Sequence, residues 1–223
     1  MFDVETYQKL TYLRRTPDGF DATGKYPALL FFHGAGSRGT DISVVRGNPF
    51  FTATEGYGLP VVTFAPQCFG ECWFDLFEQV QDFADYVRKL PYIDPDRVYL
   101  MGVSMGGYCA WQLAMSHPEW FAALIPICGG GMRWMAYRLK NVPVLAYHGE
   151  LDKTVPVVQS VQMVQAVQDA GGEARLVICP GVKHKVWDNA FADRTLFDWM
   201  LSKRRKASEE QTAECVMTPG EYN

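Results

Sequence analysis

The residue types best placed to do chemistry in this chain are one serine set among glycines, four histidines and a few loop carboxylates. Ser104 lies in Gly102-Val103-Ser104-Met105-Gly106-Gly107, after the apolar run Val98-Tyr99-Leu100-Met101 and before a helix-like segment from Tyr108 to Ser116. Strand, Gly-x-Ser-x-Gly, helix is the pattern of a nucleophile elbow, a sharp and strained turn that exposes the hydroxyl at the head of a helix. Hydrogen is expected at the flanking positions because side chains there would crowd the neighbouring strands and helix. The backbone N–H of Met105 then points toward a developing oxyanion. The plainer reading is a glycine-rich turn with Ser104 as a helix N-cap.

A serine hydroxyl is a poor nucleophile at neutral pH unless an imidazole takes its proton. Of the four histidines, His117 sits in Ser116-His117-Pro118 and reads as capping or solvent-facing. His33 and His148 each precede glycine at a strand end, so their backbones are expected to matter more than their rings. His184 lies in the loop after the last strand and before the last helix. An elbow architecture with the order nucleophile, acid, histidine puts its base there; the alternative is a surface loop histidine. The acid should orient that imidazole and stabilise its charged form. Asp152 follows the strand Val142–Tyr147 and precedes Pro156 and a helix, the expected site. Glu150 is the main competitor, Asp188 lies on the following helix, and Asp152 also reads as a cap with Lys153 and Thr154.

Such groups need a frame. Residues 3–15 alternate loosely, as one or two edge strands leading to the turn Thr16-Pro17-Asp18-Gly19. Pro27 to Phe32 is a continuous apolar run, as for a strand buried on both faces, and residues 40–58 read as loop with a short helix. Pro60–Ala65, Val98–Met101, Phe121–Cys128, Val142–Tyr147 and Ala174–Cys179 are further strands. Helical spacing marks Asp75–Leu90, with Asp75 as cap, then residues 156–170 and Asp188–Leu201. Strands alternating with helices imply an α/β fold with a mostly parallel central sheet and helices on both faces. Reactive groups in such sheets gather at the carboxyl ends of strands, where Ser104, Asp152 and His184 all fall. Residues 1–202 read as one α/β domain and 203–223, which turn polar at Lys203-Arg204-Arg205-Lys206, as a flexible tail whose basic residues form a solvated helix end.

Composition narrows the partners. With 223 residues, 48% hydrophobic and 21% charged, the chain is long enough to bury a sizeable core. A net charge of −4 gives no reason to expect nucleic acid or an anionic membrane surface. No apolar run approaches the roughly 20 residues of a membrane span. Met1-Phe2-Asp3-Val4-Glu5 lacks a signal-peptide pattern, so a cytoplasmic location is the expectation. Cys109, Cys128 and Cys179 read as small buried hydrophobes. Cys68 and Cys72 are spaced as a metal or disulfide pair would be, but no second pair or close histidine completes a zinc site, so no metal is expected.

The set His33-Gly34-Ala35-Gly36-Ser37-Arg38-Gly39, Pro66-Gln67-Cys68 with Trp73, Gly102 to Gly107, His148-Gly149-Glu150-Leu151-Asp152-Lys153-Thr154-Val155-Pro156 and Lys183-His184 resembles the α/β-hydrolase superfamily. Within it the chain is similar to the small phospholipase/carboxylesterase branch, near polyhydroxybutyrate-depolymerase-like and dienelactone-hydrolase-like esterases, over about residues 28 to 200. The resemblance implies an α/β-hydrolase fold and a serine hydrolase acting through an acyl-enzyme, with no cofactor and a small-molecule ester as substrate. By the same analogy the N–H of Ala35 pairs with that of Met105 in an oxyanion hole. Dienelactone hydrolases themselves use cysteine as nucleophile, so serine at position 104 argues against that activity. No long insertion follows strand 121–128, so only a minimal lid and an open site are expected. Trp73 with Phe69 and Phe74 near it, Arg133, Trp134 and Trp187 are candidate pocket residues, each with core packing or plain surface exposure as the alternative. The expected substrates are short-chain or carbohydrate-linked acyl esters, acetyl or feruloyl. Two alternatives stand beside this: a prolyl-oligopeptidase-like peptidase, ranked lower because no propeller accompanies the chain, and an idle hydrolase-fold binding protein.

Overall fold

A computed structural model describes residues 2–205. Its strands are β1 (Phe2–Tyr7), β2 (Leu10–Arg15), β3 (Tyr26–Phe32), β4 (Val62–Pro66), β5 (Ile93–Val103), β6 (Ala123–Ile127), β7 (Val144–Gly149) and β8 (Ala174–Cys179). They form one sheet in the order β1-β2-β4-β3-β5-β6-β7-β8. β1 and β2 are an antiparallel hairpin added to the edge; from β4 to β8 every pairing is parallel. The helices are α1 (Ile42–Arg46), α2 (Pro49–Tyr57), α3 (Phe77–Arg88), α4 (Met105–Ser116), α5 (Val158–Asp169), α6 (Trp187–Ala192) and α7 (Arg194–Leu201). None is long and apolar enough to cross a membrane.

β3 shows why its run is apolar without alternation. Leu30 and Phe32 face one core with Val80 and Phe83 of α3 and Trp111 and Leu113 of α4. Leu29 and Phe31 face the other with Phe50 of α2, Phe191 of α6 and Phe197 of α7. Phe31 stacks on Phe50 with centroids 4.0 Å apart. Successive residues of a strand point to opposite faces, so a central strand between two helical layers must be apolar throughout.

Several boundaries differ from the sequence reading. The expected turn after the edge strands is present, with Phe20 N–H donating to the Pro17 carbonyl at 3.3 Å and Gly19 at φ +70°, while a second turn at Gln8, φ +51°, splits residues 2–15 into two strands. Residues 40–58 hold two helices rather than one. The second is set by local signals: the Asn48 side chain accepts from the Phe50 N–H at 3.0 Å, Pro49 opens the helix, and Gly58 closes it at φ +58°. Asp75 does not cap α3. It accepts the Cys72 N–H at 3.0 Å within a short 3-10 turn, Trp73–Leu76, that leads into α3. The expected final helix is broken at Asp193, whose carboxylate takes the Thr195 N–H at 2.9 Å and so starts α7 afresh.

The first residues of the expected tail are also held. Lys203 pairs with Glu173 at 2.6 Å and Arg205 with Asp96 at 2.7 Å, while the Tyr99 hydroxyl donates to the Lys203 carbonyl at 3.0 Å. These contacts replace the solvated helix end expected for Lys203, Arg204 and Arg205. Residues 206–223 lie outside the described part of the chain.

Candidate active site

β5 ends at Val103, α4 begins at Met105, and Ser104 makes the whole turn between them. Its backbone sits at φ +54°, ψ −115°, a region that costs a non-glycine residue about 1–3 kcal/mol. The surroundings impose it. A Cβ on Gly102 would lie 2.0 Å from the Gly106 carbonyl oxygen, and one on Gly106 would lie 2.0 Å from that of Phe32. Helix and sheet thus touch backbone to backbone on both sides of the serine, which only glycine permits.

Ser104 Oγ lies 2.9 Å from His184 Nε2, and His184 Nδ1 lies 2.7 Å from Asp152 Oδ2. Three separate strand ends supply these groups. Asp152 faces an acceptor-starved turn: its Oδ1 takes the N–H groups of Thr154 and Val155 at 2.9 and 3.0 Å. Burial alone would raise this carboxyl, but the His184 contact and the two N–H donors outweigh it and hold its pKa below the ordinary value. With Asp152 charged, Nδ1 carries the ring proton and Nε2 is free to accept from the Ser104 hydroxyl. The two loops are clamped together. Leu151 N–H donates to the Val182 carbonyl at 2.8 Å, and a Cβ on Gly149 would collide with the Lys183 carbonyl oxygen at 2.2 Å. The rival carboxylates are engaged elsewhere: Glu150 accepts the Gly181 N–H at 2.8 Å, and Asp188 pairs with Lys185 at 2.9 Å.

The His33 ring does more than the sequence suggests. It is fully buried, its Nε2 accepts the Cys68 N–H at 3.0 Å, and its Nδ1–H donates to the Gly34 carbonyl at 2.7 Å. Burial lowers its pKa to about 4, so the ring is neutral in the tautomer these bonds require. The Gly34 carbonyl and the Ala35 N–H belong to one trans peptide and point in opposite directions. Pinning the carbonyl to His33 therefore turns the Ala35 N–H away from the ring. Ala35 and Met105 each open a helical turn, so neither N–H has an intrahelical acceptor. Gly34 also abuts Ser104, since a Cβ there would lie 3.5 Å from that of the serine.

The His148 ring, too, matters beyond its backbone. Its buried ring donates from Nε2 to the Val155 carbonyl at 2.8 Å, lies 2.7 Å from Ser160 Oγ through Nδ1, and stands 3.3 Å from Asp152 Oδ2. It braces the turn that holds Asp152, and burial lowers its pKa. His117, by contrast, stacks on Trp120 at 3.7 Å, remote from Ser104 in its contacts. Cys128 Sγ comes within 4.8 Å of ligand atoms of Asp152 and His184, but burial pushes its thiol up to about 12, so it stands there as a neutral neighbour.

The expected pocket residues are dispersed. Trp73 is 0% exposed; its indole N–H donates to the His33 carbonyl at 3.0 Å and its ring meets Phe32 edge-on. It supports the 33–37 loop from behind and cannot line a surface pocket. Trp187 is half-buried, edge-on to the His184 ring at 5.5 Å. Arg133 and Trp134 are exposed on a 3-10 segment, Arg133–Leu139. A cavity of about 560 Å³ takes in one of the expected residues, Phe74, and is otherwise lined by Phe77, Tyr108, Gln112, Gly131 and Met132. Nothing in the sequence marks Tyr108 and Gln112 as pocket residues, although they follow Ser104 at spacings of four and eight along one helix face.

Comparison with known proteins gives the family and the fold. The dienelactone hydrolase family profile matches residues 67–216. The chain belongs to that family. An esterase described as thermostable shares 29% identity and a TM-score of 0.81 over 92% of this chain and 63% of its own. Est1E from Butyrivibrio proteoclasticus, 17% identical with a TM-score of 0.68 over 90% of this chain and 97% of its own, shares the fold. Dipeptidyl-peptidase 5 of Porphyromonas gingivalis is 28% identical over 86% of this chain but only 35% of its own length. The chain thus spans about a third of the curated relatives it matches across most of its length. The parallel sheet, helices on both faces and elbow are those of the α/β-hydrolase fold.

Proposed function

We propose that this member of the dienelactone hydrolase family is a serine-dependent carboxylic ester hydrolase. The observation that carries the reading is the continuous relay from Ser104 Oγ through His184 to Asp152, at 2.9 and 2.7 Å. Ser104 Oγ attacks the ester carbonyl carbon while His184 Nε2 takes the hydroxyl proton. The carbonyl electrons move onto oxygen, facing the N–H groups of Met105 and Ala35, where losing one such donor costs on the order of 3 kcal/mol. The tetrahedral species collapses, the bond to the alcohol oxygen breaks, and that oxygen leaves with the proton from His184. Water then repeats the sequence on the acyl-enzyme, with His184 again as base and then acid, and frees the carboxylic acid. Asp152 keeps Nδ1 protonated and stabilises the imidazolium of each step.

Short-chain and carbohydrate-linked acyl esters remain the substrate class, and the cavity favours an aromatic acyl arm such as feruloyl over acetyl. A second reading, cleavage of dipeptide units from a peptide amine, is favoured by similarity to dipeptidyl-peptidase 5. All six cavity residues are uncharged, however, and offer no countercharge to a peptide ammonium group. The test is hydrolysis of p-nitrophenyl and feruloyl esters against dipeptidyl p-nitroanilides, by wild type and Ser104→Ala. Ester turnover that vanishes in the variant supports the proposal. Equal activity of both proteins removes Ser104 as nucleophile, and anilide preference replaces the ester reading with the peptidase one.

A further inference from the structure

The carboxylate of Asp152 meets more donors than the relay uses. Its side chain is fully buried, and Oδ1 accepts the Thr154 and Val155 N–H groups. Oδ2 accepts from His184 Nδ1 at 2.7 Å, and Nε2 of a second imidazole, that of His148, stands 3.3 Å from the same oxygen. His148 is on β7, four residues before Asp152, and its side chain too has no exposure. Its neighbours fix where its proton lies. The Val155 carbonyl, 2.8 Å from Nε2, can only accept, so Nε2 carries the hydrogen. Burial favours a neutral ring, which leaves Nδ1 bare and able to take the Ser160 hydroxyl proton across 2.7 Å. That hydroxyl also lies 3.0 Å from the Gly129 carbonyl, but the shorter distance and the bare nitrogen favour the ring. An ionised carboxylate offers about four acceptor sites, and four N–H groups surround this one.

We propose that His148 is a positioning residue of the relay, a second imidazole on Asp152 whose Nε2–H offsets part of the charge on Oδ2 and so sets how tightly the carboxylate holds the His184 imidazolium. The inference rests on the serine-hydrolase reading and adds what tunes its base. The Nε2–H bond points its positive end at the Val155 carbonyl and lies beside Oδ2, where burial leaves little water to screen it. Val155 in turn gives its own N–H to Oδ1, so one ring of contacts joins His148, Val155 and Asp152. With part of its charge offset, Asp152 rewards protonation of His184 less than it would alone, and the relay stays competent further into acid. The other ionisable groups around the pair do not compete. Burial keeps the Cys128 thiol and the Tyr108 phenol protonated, Lys185 is matched by Asp188, and Glu150, Lys153 and Lys183 are exposed on the two loops.

The measurement is the pH profile of kcat/KM on p-nitrophenyl acetate, whose acid limb reports protonation of the free enzyme's base. His148→Phe keeps a flat ring and removes the N–H, so the limb should move up by about 0.5–1 pH unit, a fraction of what one donor to a charged group is worth. His148→Gln, whose amide N–H reaches toward the same place, should restore the wild-type limb. Ser160→Ala strips the other side of the ring but leaves Nε2–H beside Asp152, so it should cost stability without moving the limb. An unmoved limb in His148→Phe, with only a lower rate, is what a purely structural role predicts, and it overturns the proposal. So does an equal shift in Ser160→Ala. Two spectroscopic readings need no substrate. The low-field proton resonance of the His184–Asp152 bond should move downfield in His148→Phe, and an unmoved signal overturns the proposal. In wild type at pH 7, two-bond proton–nitrogen spectra should show His148 protonated on Nε2 alone; a proton on Nδ1 overturns it even if no His148 variant folds. Turnover of p-nitrophenyl acetate that is lost in Ser104→Ala separates failure here from failure of the hydrolase reading.

Discussion

Replacing Asp152 by asparagine probes the relay at its least visible point. Asparagine has nearly the same shape, so the outcome depends on which way its amide turns. Oδ1 of Asp152 receives two backbone N–H groups, from Thr154 and Val155. Turning the amide NH₂ toward them would set donors against donors and leave both N–H groups unsatisfied, at about 1–3 kcal/mol each. The amide oxygen must therefore stay on the backbone side, and the NH₂ must face His184. It then donates to Nδ1, which drives the ring proton onto Nε2, facing Ser104 Oγ. A protonated Nε2 cannot accept the serine proton. From the effect of a wrong tautomer in serine hydrolases, kcat should fall by about 10⁴. Because both backbone bonds survive, global stability should change by only about 1 kcal/mol. Initial rates on p-nitrophenyl acetate and urea melts of the same preparations measure the two quantities. A variant within tenfold of wild-type kcat would refute the tautomer argument, as would a rate loss that merely tracks unfolding.

Gly106→Ala places a methyl group 2.0 Å from the Phe32 carbonyl oxygen, which has no rotamer to escape to, so we expect insoluble protein or a loss of several kcal/mol in urea melts; a well-folded, active variant would contradict the close approach. Glu150→Gln should keep kcat within a few-fold of wild type, because Glu150 bonds Gly181 rather than His184, and a loss as large as that of Asp152→Asn would make Glu150 the acid. Burial holds His33 at about 4 against an ordinary 6.5, so between those pH values the unfolded chain binds the proton and the folded one does not. Stability should therefore fall as pH drops through this window, by about 3 kcal/mol from His33 alone and further from His117 and His148, whose pKa values are also lowered. Urea midpoints at pH 7 and pH 4 measure it, and a flat profile would refute a buried neutral His33.

What the sequence made legible were features written within a few residues of one another. Gly102 to Gly107 announces its turn because sterics at a turn act locally, and each apolar run marks a buried strand for the same reason. Asp152 and His184 could be placed because strand ends in a parallel sheet converge. The ring of His33 could not be read, since its partner Cys68 is 35 residues away and reached only when β3 and β4 pair. Trp73 misled for a related reason: an aromatic beside a strand end is equally fit to line a pocket or to brace a loop, and its indole N–H found a carbonyl behind the loop. Gln112 lay hidden because a helix that is apolar nearly all round gives no sign which polar residue faces a cavity.

The backbone angles of Ser104 bear on how an inert version of this protein should be chosen. A residue at φ +54°, ψ −115° is comfortable only as glycine. Ser104→Gly would thus remove the hydroxyl and relax the turn together, giving a protein about 1 kcal/mol or more tougher than its parent. Ser104→Ala keeps the Cβ and with it the tension, so it is the matched blank for rate measurements, and the glycine variant is not. It also means that laboratory evolution toward heat tolerance alone would be rewarded for discarding the Ser104 hydroxyl. Screens for hardier forms of this enzyme need turnover in the selection from the first round.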